Sequence, residues 1–472
     1  MKIRLVEPPS PSLHMWSYAL YPRLGLPLIG ATLKSAGHDV RIYSSKLAPI
    51  DEGDLAAADL VGISTTTSTA PAAYAMAAAL RKRGVPVVVG GSHVTFMADE
   101  ALEYADFVAR GEGGEELTLE LVDALQGRRE LETIAGLSFT RDGRPVHNAA
   151  RERCADLDDL PVPDLSLIVG HERLKTTPIM TSWGCPFACT FCSVTAMFGR
   201  SYRWRSPESV IAELRAKRPH NVFFYDDNLA ADKRRLKTLL RMMIDEDLVV
   251  PWQAQVRTDV ARDPELLELM ARSGCHRLAL GFESIDQATL DRFEKSQSVA
   301  DIAQAIDALH RFGIQCHGMF VLGADTDTPA TTRRTVEFAR SHHIDTVMLN
   351  ILTPAPGTRQ FADLDAEGRI FTKRWELYDG LHVVFTPQQM TPHELQNGVL
   401  RAYRRFYSTR QLLAFVARLR LTRVRDHSWC WWFARYWSRQ KSTRAYLRML
   451  KRLRRPQSRT TEPALEEAGK VA

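Results

Sequence analysis

Long apolar runs are missing from this chain of 472 residues. No stretch of about 18 apolar residues without a charge occurs, so the sequence predicts no membrane-spanning helix. Residues 1–9 have the pattern of a β-strand and lack the apolar segment of a secretory signal. We therefore expect the chain to work in the reducing cytoplasm, where structural disulfides are rare.

Cysteine is scarce, with seven residues in the chain, and four of them are scattered. The other three, Cys185, Cys189 and Cys192, share one short run with the spacing C-x3-C-x2-C. A structural zinc site would need a fourth ligand, and no second cysteine pair exists in the sequence. Iron–sulfur clusters are held by cysteine thiolates, usually four of them. Three thiolates therefore predict a four-iron cluster with one iron open to a small molecule.

The cysteine run also has an aromatic residue, Phe191, directly before its last cysteine. This arrangement resembles the signature of the radical S-adenosylmethionine (SAM) superfamily. The resemblance implies a [4Fe-4S] cluster whose open iron binds SAM, and cleavage of SAM to a 5′-deoxyadenosyl radical. It also implies a partial (β/α)6 barrel of the TIM type, with its chemistry at the carboxyl ends of the strands.

Residues 1–145 alternate strand-like and helix-like segments, which predicts a Rossmann-like, doubly wound parallel sheet. Ligands of such sheets bind at the carboxyl ends of the strands, and small or polar residues follow three strands there. The order of segments resembles the cobalamin-binding domain that precedes many radical SAM modules. That resemblance implies that cobalamin is held by six residues: Ser64, Thr65, Gly90, Gly91, Gly111 and Glu112.

The motif Asp-x-His-x-x-Gly, which gives cobalt an axial histidine in other cobalamin proteins, is absent from the sequence. His38 and His93 both lack an aspartate two residues earlier. In the radical SAM branch that the chain resembles, cobalt commonly has no protein histidine, so cobalamin remains the expected cofactor. A Rossmann-like domain without the cofactor is the alternative.

The remainder of the chain divides into four parts. Residues 146–175, rich in acids and proline, are expected to form a linker. Residues 176–390 contain six strand–helix repeats and are predicted to form the partial barrel. Residues 391–455 are expected to be basic aromatic helices, and residues 456–472 a disordered tail. The predicted fold class is therefore α/β with a helical C-terminal region.

Polar or glycine residues follow the predicted barrel strands, and the resemblance assigns several of them to the active site. Asp226 and Asp227 would lie beside the SAM amino group and the substrate as catalytic residues, with a turn or a helix cap as the alternative. Gly281, Glu283 and Ser284 would contact SAM. A glutamate on an otherwise apolar strand is costly to bury without a partner, which supports a ligand role for it.

Three arginines near these positions have less specific patterns. Arg257 follows the third barrel strand and would hold the SAM carboxylate as a bidentate fork, with a structural salt bridge as the alternative. For Arg203 and Arg205 we expect a solvated face rather than contact with cobalamin or a substrate phosphate.

Acidic residues are almost missing from residues 401–455, which hold 17 Arg and Lys against one acid, Asp426. The net charge of the whole chain is only +6, so this segment is a basic region on an acidic body. Its arginines alternate with apolar residues and four tryptophans, Trp429, Trp431, Trp432 and Trp437. We therefore expect residues 412–455 either to contact an anionic membrane surface or to form a helical cap on the barrel. We do not expect them to bind nucleic acid.

The two resemblances together imply an enzyme that methylates an unactivated carbon, using the 5′-deoxyadenosyl radical and methylcobalamin. Ring closure or oxidation with the same cofactors, as in the anaerobic chlorophyll-ring cyclase, is the alternative, and a non-catalytic cobalamin or redox sensor is a third hypothesis. We expect a small-molecule or lipid-like substrate and an electron donor such as flavodoxin or ferredoxin. The expected location is cytoplasmic, with peripheral contact at the inner membrane as an option.

Overall fold

The computed structural model describes residues 1–13, 20–417 and 421–453, and the tail expected at 456–472 lies outside these residues. A first α/β unit occupies the amino-terminal part of the chain. Its strands are β1 (Lys2–Glu7), β2 (Asp39–Ser44), β3 (Leu60–Thr65), β4 (Val87–Gly91), β5 (Phe107–Ala109), β6 (Leu137–Arg141) and β7 (Arg144–His147). Its helices are α1 (Gly25–Ser35), α2 (Glu52–Ala56), α3 (Ala70–Arg81), α4 (Ser92–Phe96), α5 (Ala98–Leu102) and α6 (Gly114–Leu125).

These strands form one sheet in the order β2-β1-β3-β4-β5-β6-β7. Strands β1 to β5 are parallel, and their apolar residues are buried on both faces because helices cover the sheet from both sides. The chain order reverses between β1 and β3, which leaves a crevice at the carboxyl edge of the sheet. The predicted doubly wound α/β sheet is confirmed.

The far edge of this sheet differs from the sequence-based expectation. Strands β6 and β7 pair antiparallel and extend the sheet beyond β5. Strand β7 ends at His147, two residues past the boundary expected at 145. A short hairpin with few buried residues gives little apolar periodicity, so the sequence pattern did not predict it.

A second α/β unit contains the cysteine run. Its strands are β8 (Thr177–Ile179), β9 (Ser182–Gly184), β10 (Tyr202–Trp204), β11 (Val222–Phe224), β12 (Trp252–Val256), β13 (Cys275–Glu283), β14 (Gln315–Leu322) and β15 (Thr346–Ile351). Its helices are α7 (Ser193–Phe198), α8 (Pro207–Lys217), α9 (Lys233–Asp245), α10 (Pro264–Arg272), α11 (Gln287–Arg292), α12 (Val299–Arg311), α13 (Thr331–Ser341) and α14 (Arg359–Ala366).

Six of these strands form a parallel sheet in chain order, β8-β11-β12-β13-β14-β15, and this is the predicted partial barrel. Strands β9 and β10 form a separate antiparallel pair beside it. Large buried rings fill the core around the sheet, including Phe224, Trp252, Phe282 and Phe320. Because all six strands are parallel, their carboxyl ends lie on one side of the barrel and bring the following loops together.

In the described part of the chain, four helices follow the barrel. They are α15 (Pro392–Phe406), α16 (Thr409–Ala417), α17 (Leu421–Arg439) and α18 (Lys441–Leu450). The hydroxyls of Tyr403 and Tyr407 accept the backbone N–H groups of Leu349 and Val347 at 2.9 and 2.8 Å. Helix α15 and the residue that follows it thereby provide hydrogen-bond partners for the free edge of β15. None of the described helices is long and apolar enough to cross a membrane.

Candidate functional site

Three thiols come from the loop that joins β9 to α7. Gly184 enters the loop at a φ of +82°, where a Cβ would collide with the carbonyl oxygen of Ser201, so only glycine fits there. The backbone N–H of Cys192 donates to the carbonyl oxygen of Cys189 at 3.1 Å, and Cys192 is the N-cap residue of α7. Cys189 is buried, and Cys185 and Cys192 are half-buried. All three thiols therefore belong to one short loop between β9 and α7.

Burial and nearby cations act in opposite directions on the pKa values of the thiols. Burial raises the pKa of the Cys185 thiol, and it raises the pKa of Cys192 to about 11. Two cationic side chains, Arg257 and Lys295, oppose this rise for Cys185 because positive charge favours the thiolate. A coordinating thiol is deprotonated by its metal. Three soft sulfur donors on one loop, close to buried cations, fit an iron–sulfur cluster.

Glu283 is the last residue of β13, and its backbone has a conformation that the sequence did not predict. Its φ is +62°, and the register between β13 and β14 shifts between Gly281 and Glu283, as in a β-bulge. The carboxylate then meets Lys295, whose ammonium group donates to Oε1 at 2.6 Å. The backbone N–H of Asp286 donates to the hydroxyl of Ser284 at 3.1 Å. Glu283 is thus buried with a protein partner, and its contact with SAM stays a prediction.

Lys295 is a site residue that sequence analysis missed. Its side chain is 8% exposed, although the surrounding sequence is polar and resembles a solvated turn. The amide nitrogen of Gln297 donates to the carbonyl oxygens of Gly281 and Phe282 at 3.2 and 2.9 Å, which fixes this segment on β13. No local pattern distinguishes Lys295 from an exposed lysine, because its partner is twelve residues away.

Asp226 and Asp227 follow β11 and have different environments. Asp226 is fully buried and accepts hydrogen bonds from the hydroxyls of Thr181, at 2.9 Å, and Ser182. Burial raises the pKa of Asp226. Asp227 accepts the backbone N–H of Gly184 at 3.2 Å, and burial raises its pKa to about 6. Asp226 therefore braces the start of the thiol loop, while Asp227 lines a cavity next to it.

That cavity has a volume of about 370 Å³ and lies between the two sheets. One wall comes from the first sheet and includes Ser64, Gly90, Gly91, Gly111 and Glu112 of the predicted cobalamin residues. The other wall comes from the barrel and includes Ser182, Trp183, Met197, Phe198, Tyr225 and Asp227. The carboxyl edge of the first sheet therefore faces the thiol loop across one space.

Glycines shape the sheet side of the cavity. Gly91 has a φ of +108°, and a Cβ there would collide with the carbonyl oxygen of Thr65. The Thr65 hydroxyl donates to the carbonyl oxygen of Gly90 at 2.8 Å, so Thr65 holds the loop instead of lining the cavity. A Cβ at Gly111 would meet no other atom within 4 Å, which leaves room for a ligand close to the backbone. Such a cradle fits a large planar cofactor such as cobalamin.

The expectation that Arg203 and Arg205 lie on a solvated face is wrong. Arg203 crosses the interface and forms an ion pair with Glu112, with Nη2 2.8 Å from Oε2, and Arg205 forms a buried ion pair with Glu213. Glu112 is distant in sequence and Glu213 lies on the following helix, so the residues next to the two arginines did not reveal these partners. Glu112, predicted to contact cobalamin, also joins the two units beside the cavity.

Comparison with known proteins agrees with this geometry. Residues 179–352 match the radical SAM superfamily, and residues 17–119 match the B12 binding domain. Over 428 residues the chain is 31% identical to an uncharacterised methyltransferase of Pyrococcus horikoshii, covering 86% of this chain and 92% of that one. The chain belongs to the radical SAM superfamily, in the branch with a B12-binding domain. It is therefore an enzyme, as predicted.

Further relatives fall into two activity classes. The bacteriochlorophyllide d C-12(1)-methyltransferase of Chlorobaculum tepidum is 28% identical, over 85% of this chain and 86% of its own length. The anaerobic magnesium-protoporphyrin IX monomethyl ester cyclase of Cereibacter sphaeroides is 32% identical, over 70% of this chain and 56% of its own length.

The fold is shared with solved structures of this radical SAM branch. The methyltransferase TsrM of Kitasatospora setae, solved with cobalamin and a [4Fe-4S] cluster, has a TM-score of 0.64 and 18% identity, covering 78% of this chain and 75% of that one. The cobalamin-dependent enzyme OxsB has a TM-score of 0.68 and 15% identity, over 95% of this chain and 75% of its own. The predicted cofactors, a [4Fe-4S] cluster, SAM and cobalamin, are those that the two matched families imply.

Proposed function

We propose that this enzyme transfers a methyl group to an unactivated carbon of a small-molecule or lipid-like substrate. The observation that carries the proposal is the shared cavity wall. Trp183 lies two residues before Cys185 and lines the same cavity as Gly90 and Gly91 of the first sheet. A group held by the sheet and a group held by the thiol loop would face one space, and a transfer between them needs that proximity.

When bound, the cofactors supply a carbon-centred radical that removes hydrogen from the substrate and a methyl group carried on cobalt. The protein binds, orients and shields these groups. Cys185, Cys189 and Cys192 would hold the cluster. Ser64, Gly90, Gly91, Gly111 and Glu112 would hold cobalamin, with Thr65 supporting their loop.

A second cavity, on the barrel side of the cysteine run, would hold SAM and the part of the substrate next to it. Its volume is about 380 Å³, and Phe191 of the cysteine run and Glu283 line it together with Met319, Met348 and Asn350. Glu283, Gly281 and Ser284 would position SAM there. The walls are mainly apolar, which suits the hydrocarbon part of a substrate.

Asp227 would act at the boundary between the two cofactors. Its carboxyl lines the cavity and has a pKa of about 6, so it can hold or release a proton near neutral pH. Asp226 would support this side chain indirectly, through Thr181 and Ser182 at the start of the thiol loop.

A cyclase or oxidase with the same cofactors is the second candidate, and the similarity to the magnesium-protoporphyrin ester cyclase favours it. Incubation of the reconstituted enzyme with a reductant, trideuteromethyl SAM and candidate substrates separates the two. Methyl transfer predicts 5′-deoxyadenosine together with a product that carries the deuterated methyl group. A cyclase or oxidase would form 5′-deoxyadenosine without a methylated product. A cobalamin or redox sensor would form neither above the level of a Cys192→Ala control.

We also propose two partners. An electron donor such as flavodoxin or ferredoxin would reduce the cluster, and residues 412–455 would contact an anionic membrane surface at the inner membrane. The membrane contact is supported by helix α17, where Trp432 and Tyr436 are 40% and 38% exposed and stack at 4.7 Å. The exposed residues Arg425 and Arg439 lie at helical spacing on either side of this aromatic pair. Amphipathic basic helices with exposed aromatic rings bind anionic lipid headgroups.

A further inference from the structure

Arg257 places a buried positive charge beside the thiol loop. It follows β12, and only 6% of the residue is exposed. Its guanidinium carbon lies 3.6 Å from the centre of the Phe187 ring, so the planar group is stacked on a residue of the cysteine run. One nitrogen, Nη2, donates to the carbonyl oxygen of Lys295, and the other, Nη1, is 4.0 Å from Sγ of Cys189. The guanidinium is therefore held in one orientation, with a donor directed at a predicted cluster ligand.

The charge of Arg257 is not balanced within the described part of the chain. Among residues 1–13, 20–417 and 421–453, no carboxylate forms an ion pair with it. Glu283, which lies on the neighbouring strand, is already bound to Lys295 at 2.6 Å. An arginine stays charged in a protein, and a buried charge without a partner is costly. The thiolates and sulfides of a cluster would supply the missing negative charge at the place where the Nη1 donor points.

We infer that Arg257 is a positioning residue that sets the reduction potential of the cluster through Cys189. The inference rests on the proposed cluster and adds a role for a residue that the sequence assigned to SAM. Reduction adds one electron to a bound cluster and makes it more negative. A fixed cation and an N–H donor next to a ligating sulfur favour that reduced form and raise the potential. The protein would thereby ease delivery of the electron by the donor.

The test is an EPR-monitored redox titration of the cluster-loaded, full-length enzyme without SAM. Arg257→Gln removes the charge, and Arg257→Lys keeps it. We expect a more negative midpoint potential for Arg257→Gln and a potential close to that of the wild type for Arg257→Lys. Arg262→Gln is the matched control, since Arg262 is five residues away, exposed and paired with Asp301. Its potential should equal that of the wild type.

If the midpoint potential of Arg257→Gln equals that of the wild type, the inference is overturned. If SAM affinity then falls at least about tenfold, Arg257 binds the SAM carboxylate instead. If Arg257→Gln retains no iron, Phe187→Leu decides the question, because it keeps the arginine but removes the ring that orients its guanidinium towards Cys189. A more negative potential in Phe187→Leu supports the inference, and an unchanged one overturns it. A wild-type enzyme without a cluster would contradict the proposed function itself, which is a different result.

Discussion

At the scale of single residues, two adjacent aspartates have different chemistry because their surroundings differ. Asp226 accepts hydrogen bonds from two hydroxyls and braces the strand that leads into the thiol loop. Asp227 has one backbone donor and lines the cavity, so burial raises its pKa to about 6. We therefore propose an acid–base role for Asp227 and a supporting role for Asp226.

Asp227→Asn should remove a pH dependence of stability. The pKa of Asp227 in the folded protein, about 6, lies above the ordinary aspartate value of 3.8, so the folded protein binds more protons than the unfolded chain between these values. The stabilising effect of the protonated form is complete below pH 3.8 and is lost as the pH rises through 6. Because Asp227 is exposed on its cavity side, solvent screening keeps the loss well below about 3 kcal/mol. Thermal unfolding from pH 4 to 7 should show a larger decrease in Tm for the wild type than for Asp227→Asn, and parallel curves would contradict the assigned pKa.

At the scale of secondary-structure elements, the loops after β3 and β4 form the sheet side of the cavity. Their shape depends on Gly91, whose positive φ and contact with Thr65 exclude any side chain. The neighbouring glycine, Gly90, packs near Ala109 of β5 and has space for a Cβ at ordinary contact distance. The two glycines are therefore not equivalent, although the sequence places them side by side.

Gly91→Ala should abolish most cobalamin binding. The added Cβ would force the β4 loop away from Thr65 and strain the backbone by about 1–3 kcal/mol. The cobalamin retained after gel filtration, measured by visible absorbance, should fall at least about tenfold, since the cradle changes shape. Gly84→Ala is the matched control, because Gly84 also has a positive φ but no atom within 4 Å of the added Cβ. Equal cobalamin content in the two variants would contradict the cradle.

Local patterns predicted the elements well, and they failed where a partner is distant in sequence. The cysteine run, the apolar parallel strands and the glycine loops all lie within short segments, so the spacing of their residues was sufficient to predict these elements. Lys295 beside Glu283 and Arg203 beside Glu112 are long-range pairs that no window of sequence displays. The bulge at Glu283 is likewise set by pairing of β13 with β14.

At the scale of the whole molecule, the C-terminal helices both cap the barrel and present a basic surface. Trp437 and Phe433 of α17 are buried, and Arg277 of β13 forms an ion pair with Asp426, the one acid of residues 401–455. The opposite side of α17 exposes Trp432 and Tyr436. The cap and the membrane contact, which the sequence offered as alternatives, are thus compatible in one helix.

The double variant Trp432→Ser/Tyr436→Ser should weaken binding to anionic vesicles. We expect flotation with phosphatidylcholine–phosphatidylglycerol vesicles to fall at least about fivefold, because the exposed rings are lost while the charge remains. Trp204→Ser is the matched control: Trp204 is 44% exposed, but its neighbours Arg203 and Arg205 are bound to Glu112 and Glu213. No binding of the wild type at low salt would remove the membrane contact from the account.

The iron and sulfide content after anaerobic reconstitution tests whether the three thiolates hold a cluster. We expect about four irons and four sulfides per wild-type chain. We expect the loss of nearly all of both when Cys185, Cys189 and Cys192 are replaced by alanine, whereas Cys154→Ala, outside the loop, should keep them. A wild-type chain without stoichiometric iron and sulfide, or a triple variant that holds as much as the wild type, would contradict the account.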